Sequence, residues 1–144
     1  TGEFGFDIYN GTKRQLDFMS YGGNSTNRGK DILNAWSTTN TSSSIPALTL
    51  ADNNNETRMS TYFVEDGSYL KMKFVKLAYD LPTKWLSRIG ASALSVYGQL
   101  ENVFTITDYS GLDPELPLGT YGARYDGGPY PRSRTFTVGV NLTF

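Results

Sequence analysis

Arg134 to Phe144 reads R-T-F-T-V-G-V-N-L-T-F. The stretch alternates without interruption. Phe136, Val138, Val140, Leu142 and Phe144 fall on one face, and Thr135, Thr137, Gly139, Asn141 and Thr143 on the other. A period of two predicts a β-strand, because successive side chains of a strand point to opposite faces of a sheet. The apolar row ends on an aromatic residue. Two environments reward such a row. One is the packed interior of a β-sandwich. The other is lipid, where transmembrane barrel strands place an apolar outer row between interfacial aromatics.

The composition narrows the choice. The chain has 144 residues, enough for one domain. Its formal net charge of −1 gives no electrostatic reason to bind nucleic acid. It has no cysteine, which excludes disulfides and thiolate chemistry, and no histidine, which removes the commonest metal ligand and general base. Tyr, Phe, Gly, Asn, Ser and Thr are abundant, which favours strands and turns. No run approaches the roughly 20 apolar residues of a membrane-spanning helix. Barrel strands carry a weaker, alternating signal, so a barrel remains open. Thr1 opens mid-pattern without an initiating Met, so the chain reads as a mature chain or a piece of a larger one.

Three more stretches carry strand character. Thr1 to Ile8 alternates, with Phe4, Phe6 and Ile8 on one face. Tyr62 to Leu81 places Tyr69, Lys71, Lys73, Val75, Leu77, Tyr79 and Leu81 on one face, with Lys76 and Asp80 on the other. If Val75 to Leu81 face lipid, Lys71 and Lys73 must lie above the hydrocarbon, since a midplane Lys costs about 2–4 kcal/mol. Ala91 to Thr107 places Leu94, Val96, Gly98 and Leu100 opposite Ser95, Tyr97, Gln99 and Glu101. Between these strands the connectors run long (from about Tyr9, with one or two helical turns at Asp31 to Trp36), short (Thr83 to Gly90, carrying Trp85) and long (Asp108 to Ser133). Long outer loops and short periplasmic turns are the habit of outer-membrane barrels. Four strands close no barrel, so on this reading they pair with strands outside this sequence.

The ending also spells polar-x-Gly-x-x-apolar-x-aromatic, with Thr137, Gly139, Leu142 and Phe144 at the defined places. This is the pattern of the assembly signal of bacterial outer-membrane barrels. Several further runs carry a family resemblance: D-I-Y-N-G-T-K-R (Asp7–Arg14), D-I-L-N-A-W (Asp31–Trp36), F-V-E-D-G-S-Y-L-K-M-K (Phe63–Lys73), L-A-Y-D-L-P-T-K-W-L (Leu77–Leu86), Y-S-G-L-D-P-E (Tyr109–Glu115) and Y-P-R-S-R-T-F (Tyr130–Phe136). In this order they resemble the C-terminal part of SusC/RagA-type TonB-dependent outer-membrane transporters. The resemblance implies an all-β fold, with residues 1–144 as the C-terminal antiparallel strands of a 22-stranded barrel with long extracellular loops. It implies import of oligosaccharides or oligopeptides at the bacterial outer membrane. The implied partners are the rest of the barrel with its plug, the TonB complex reached through that plug, a SusD-like surface lipoprotein, the bilayer and the cargo.

The expected roles follow. Phe136, Val138, Val140, Leu142 and Phe144 face lipid, while Thr137, Gly139, Leu142 and Phe144 form the assembly signal. Tyr109, Tyr121, Arg124, Tyr125, Asp126 and Tyr130 are candidates for contact with substrate or the lid lipoprotein, because tyrosines offer apolar area with a polar handle. Asp113, Glu115 and Asp126 read as solvated loop carboxylates, lacking any companion for glycoside hydrolysis. Asp52 to Glu56 reads as a polar loop tip without the glycine and distal Glu of an EF-hand. The sequons at Asn10, Asn24 and Asn55 read as coincidence. No catalytic residue, cofactor or metal is expected. The rival reading is a secreted carbohydrate-binding β-sandwich with loop tyrosines as its platform.

Overall fold

Alternating β-branched and aromatic residues form the long strands, and asparagine, glycine and serine break them. The computed structural model describes residues 1–18, 27–52, 55–86, 90–119 and 122–144. The elements are β1 (Gly2–Glu3), β2 (Asp7–Asn10), α1 (Gly11–Asp17), 3-10 turns at Lys30–Asn34 and Thr61–Phe63, β3 (Val64–Asp66), β4 (Tyr69–Asp80), α2 (Thr83–Leu86), β5 (Ala93–Thr107), β6 (Arg124–Asp126) and β7 (Thr135–Thr143). No described helix is long and apolar enough to cross a membrane.

The chain divides into two units. The first holds Thr1–Glu3, Tyr69–Thr107 and Pro131–Phe144. It is an antiparallel sheet of order β1-β4-β5-β7. The long strands pair in sequence order. Tyr79, Leu77 and Val75 lie opposite Val96, Gly98 and Leu100, which lie opposite Val140, Val138 and Phe136. β1 pairs only with the start of β4, at Leu70 and Tyr69, and Thr1 adds two backbone bonds to Lys71.

One extra residue on β5 shifts the register. Met72 pairs with Phe104, but Phe74 pairs with Glu101. Asn102 takes up the irregularity at φ 51°, a left-handed conformation that asparagine tolerates better than most residues. Its Nδ2 donates to the Ser133 carbonyl at 2.9 Å, tying the bulge to the segment entering β7. Without the extra residue, Phe104 and Ile106 would lie opposite Lys71 and Tyr69. With it they lie opposite Met72 and Leu70. The uninterrupted strand expected from Ala91 to Thr107 therefore carries a bulge.

The second unit holds Phe4–Ser68 and Asp108–Tyr130. Its small sheet has order β3-β2-β6, with β3 antiparallel and β6 parallel to β2. Ile8, Tyr109 and Leu116 form its core, with Phe6 against them. A ring cluster of Tyr9, Phe18, Tyr62 and Phe63 packs at centroid separations of 5.1–5.9 Å. The expected single strand from Thr1 to Ile8 is thus two strands in different sheets, broken at Gly5, whose φ is +74°. Within the long connector expected from about Tyr9, Gly11–Asp17 is a helix; the Asn10 side chain accepts from the Lys13 N–H and caps its first turn.

Candidate functional site

From Val75 to Asp80 and their partners, the register of β4, β5 and β7 gathers one side-chain type on each face; nearer the start of β4, Leu70, Met72 and Phe74 share the face of Lys76, and Lys71 and Lys73 that of Val75. One face carries Val75, Leu77 and Tyr79, then Leu94, Val96 and Leu100, then Phe136, Val138, Val140 and Leu142. The other carries Lys76, Ala78 and Asp80, then Ser95, Tyr97, Gln99 and Glu101, then Thr137, Gly139, Asn141 and Thr143. The apolar face is exposed: Leu77 at 76 %, Phe136 at 69 %, Val138 and Val140 at 61 %, and Phe144 beyond the strand at 80 %. Among the described residues of this unit, no second sheet covers it. Each such side chain left in water forgoes about 1.5–3 kcal/mol of burial. A contiguous apolar surface of this kind marks contact with another apolar phase. The β-sandwich reading requires this row to be buried under a second sheet, and is overturned here. The polar face carries bonds of its own. Gln99 Nε2 donates to Glu101 Oε1 at 2.6 Å, and Lys76 Nζ sits 4.4 Å from the centre of the Tyr97 ring. Nine residues in β7 match the roughly 9–11 that a tilted strand needs to cross hydrocarbon.

The loop unit is built around buried polar groups. Glu65 of β3 accepts from the Ser110 N–H at 3.0 Å, the Ser110 hydroxyl at 2.9 Å and the Lys13 ammonium at 3.0 Å. The Asn10 amide donates to Ser110 Oγ at 3.1 Å and reaches Glu65 at 3.4 Å. One carboxylate thereby joins the long connection before β4 to the long connection after β5. Partial burial pushes the Glu65 carboxyl up, but the Ser110 bonds and the Lys13 charge outweigh it and hold it below its ordinary value. Asp17 shifts the other way. Its burial raises it against the bond from the Tyr62 hydroxyl, 3.0 Å, and the charge of Lys13. Asp126 is buried and accepts from the Tyr109 hydroxyl at 2.5 Å, the Thr12 hydroxyl at 3.3 Å and the Gly128 N–H at 2.8 Å. Burial, and then this bond, push the Tyr109 phenol well above its ordinary value.

The candidate loop residues separate accordingly. Tyr109 and Asp126 are buried and committed to each other. The Arg124 guanidinium lies 4.0 Å from the centre of the Phe6 ring. Tyr125 stacks on Tyr9 at 5.7 Å with 54 % of its surface exposed, and Tyr130 is 94 % exposed. Tyr121 lies outside the described residues, as do Asn53, Asn54 and the sequon at Asn24. Asn10, in another sequon, is buried with its side chain bonded. Asp113 accepts from the Glu115 N–H at 3.0 Å, a local turn contact. Sequence reading missed Glu65, Ser110 and Asn10. All three lie in runs that carry the family resemblance, Asp7–Arg14, Phe63–Lys73 and Tyr109–Glu115, but no periodicity or spacing singled them out.

Comparison with known proteins decides the family. The TonB-dependent receptor P3 of Formosa agariphila is 34 % identical over 133 residues, covering 88 % of this chain and 13 % of the relative. The TonB-dependent receptor SusC of Bacteroides thetaiotaomicron is 35 % identical over 132 residues, covering 89 % of this chain and 12 % of the relative. This chain belongs to the SusC/RagA-type TonB-dependent receptors. A structure of the RagAB peptide transporter aligns with a TM-score of 0.77 at 27 % identity, over 99 % of this chain and 15 % of that one. No family model matches the chain. The antiparallel strands of the TonB-dependent receptor segment are therefore barrel strands, and the segment spans about one eighth of the length of the curated relatives it matches. Those relatives are receptors and the structural neighbour is a transporter; none is described as an enzyme.

Proposed function

We propose that this chain supplies barrel-closing strands and outer loops to a TonB-dependent receptor that imports an oligomeric nutrient, an oligosaccharide or an oligopeptide, across the bacterial outer membrane. The carrying observation is the exposed apolar face of β4, β5 and β7 backed by a polar face. On this reading Phe136, Val138, Val140, Leu142 and Phe144 face lipid, and the polar face lines the lumen. β7 is unpaired along its outer edge among the described residues, and β4 is paired there only at its start. In hydrocarbon each unsatisfied backbone group costs several kcal/mol, so these edges pair with further strands; the family resemblance implies a complete barrel of about 22.

The same reading assigns the remaining partners. A plug fills the barrel and takes energy from the TonB complex, and a SusD-like surface lipoprotein covers the cargo. Tyr125 and Tyr130 are the exposed tyrosines suited to touch that cargo or lipoprotein. Thr137, Gly139, Leu142 and Phe144 act as the assembly signal.

A pair of neighbouring substitutions tests the assignment of faces. Val138→Lys puts a charge near the middle of the lipid row, at a cost of about 2–4 kcal/mol. Thr137→Lys puts the same charge on the lumenal face. In the intact receptor, folded protein in the outer membrane, read by heat-modifiable gel mobility, should fall sharply for the first and little for the second. Equal loss from both, or the reverse order, would refute the assignment.

A further inference from the structure

Tyr97 and Gly139 are cross-strand partners in the register of β5 and β7. A Cβ built on Gly139 would lie 2.3 Å from Tyr97 Cζ, 2.4 Å from its hydroxyl oxygen and 2.5 Å from Cε1. The ring therefore occupies the space that any other residue at 139 would fill. Lys76 holds the ring from the third strand, with its ammonium 4.4 Å from the ring centre. The register sets Lys76 opposite Gln99 and Tyr97 opposite Ala78, so Lys76 reaches the ring diagonally. Three strands meet at one side chain. The adjacent glycine behaves differently. A Cβ on Gly98, on the apolar face, would meet nothing within 4 Å. A side chain at 139 must therefore displace the Tyr97 ring, whereas one at 98 displaces nothing.

We propose that Tyr97 is a positioning residue for β7: its ring, held by Lys76, seats on Gly139 and fixes the register of that strand, so the glycine of the terminal signature is required by this ring. A slip of one residue would exchange the two faces of β7 and bring Val138 or Val140 under the ring. The inference deepens the barrel reading above and rests on it.

The experiment uses the complete receptor and reads the heat-modifiable, folded fraction in the outer membrane. Strand propensity alone favours valine over glycine. Gly139→Val in the native background should nevertheless lower the folded fraction at least threefold. In a Tyr97→Ala background the same change should raise it. The control Gly98→Val should move it less than twofold. If Gly139→Val lowers the fraction by the same factor in both backgrounds, the glycine is read by something other than Tyr97 and the inference fails. It fails too if Gly139→Val is neutral in the native background, or if Gly98→Val costs as much. Absence of any heat-modifiable form of the unaltered receptor would overturn the barrel reading itself, and this inference with it.

Discussion

Glu65 shows how much one side chain can organise. It gathers donors from Lys13, Asn10 and Ser110, residues separated by up to 100 positions in the chain. Glu65→Ala removes the acceptor of Ser110 and Lys13, which are exposed or partly exposed, at about 0.5–1.5 kcal/mol per bond lost. The expected outcome is faster hydrogen exchange at the β2 and β3 amides of the intact receptor, with Glu65→Gln showing a smaller effect because one oxygen still accepts. The pH dependence has a definite sign. The folded Glu65 carboxyl is held below its ordinary value, so its contribution is present above about pH 4.3 and fades as the pH falls through the folded value. Asp17 acts oppositely. Its raised carboxyl favours the fold while protonated, and that contribution is lost as the pH rises through its folded value. Exchange measured between pH 3 and 6 should therefore lose its Glu65-dependent step in Glu65→Gln.

At the scale of elements, β5 depends on its bulge. Valine at Asn102 would force a β-branched residue into left-handed backbone, at about 1–3 kcal/mol, and would remove the bond to Ser133. Asn102→Val should lower the urea midpoint of the detergent-solubilised receptor clearly. Asn102→Gly keeps the backbone and loses only the bond, so its shift should be smaller; equal shifts would dissociate the bulge from stability. The bulge also marks where sequence reading stopped. β7 was legible because its two faces differ in every pair from Phe136 to Thr143. The lower halves of β4 and β5 were legible for the same reason. The residue inserted at Asn102 leaves no trace in a pattern of period two, because Val103 and Phe104 are both apolar and either suits either face. The four-residue strand β2 and three-residue strands β3 and β6 are too short for periodicity to register, and only tertiary pairing reveals them. The loop tyrosines were recognisable as aromatic and polar, but nothing in composition tells buried Tyr109 from exposed Tyr130.

For the whole molecule, the consequence of an uncovered apolar face and open strand edges is dependence on other material. The isolated 144-residue chain, expressed alone, should aggregate in buffer and require detergent to stay dispersed. Size-exclusion chromatography without detergent checks this, and a monodisperse monomer there would contradict the lipid assignment. The parallel alignment of β2 with β6 has its own implication for anyone regrafting binding specificity between relatives. Each of the two long connections donates a strand that the other needs, and Glu65 and Asp126 both lock onto residues from the opposite connection. A chimera that transplants one connection by itself would inherit a strand with no matching neighbour. Specificity in this segment travels as a pair of insertions, exchanged together or not at all.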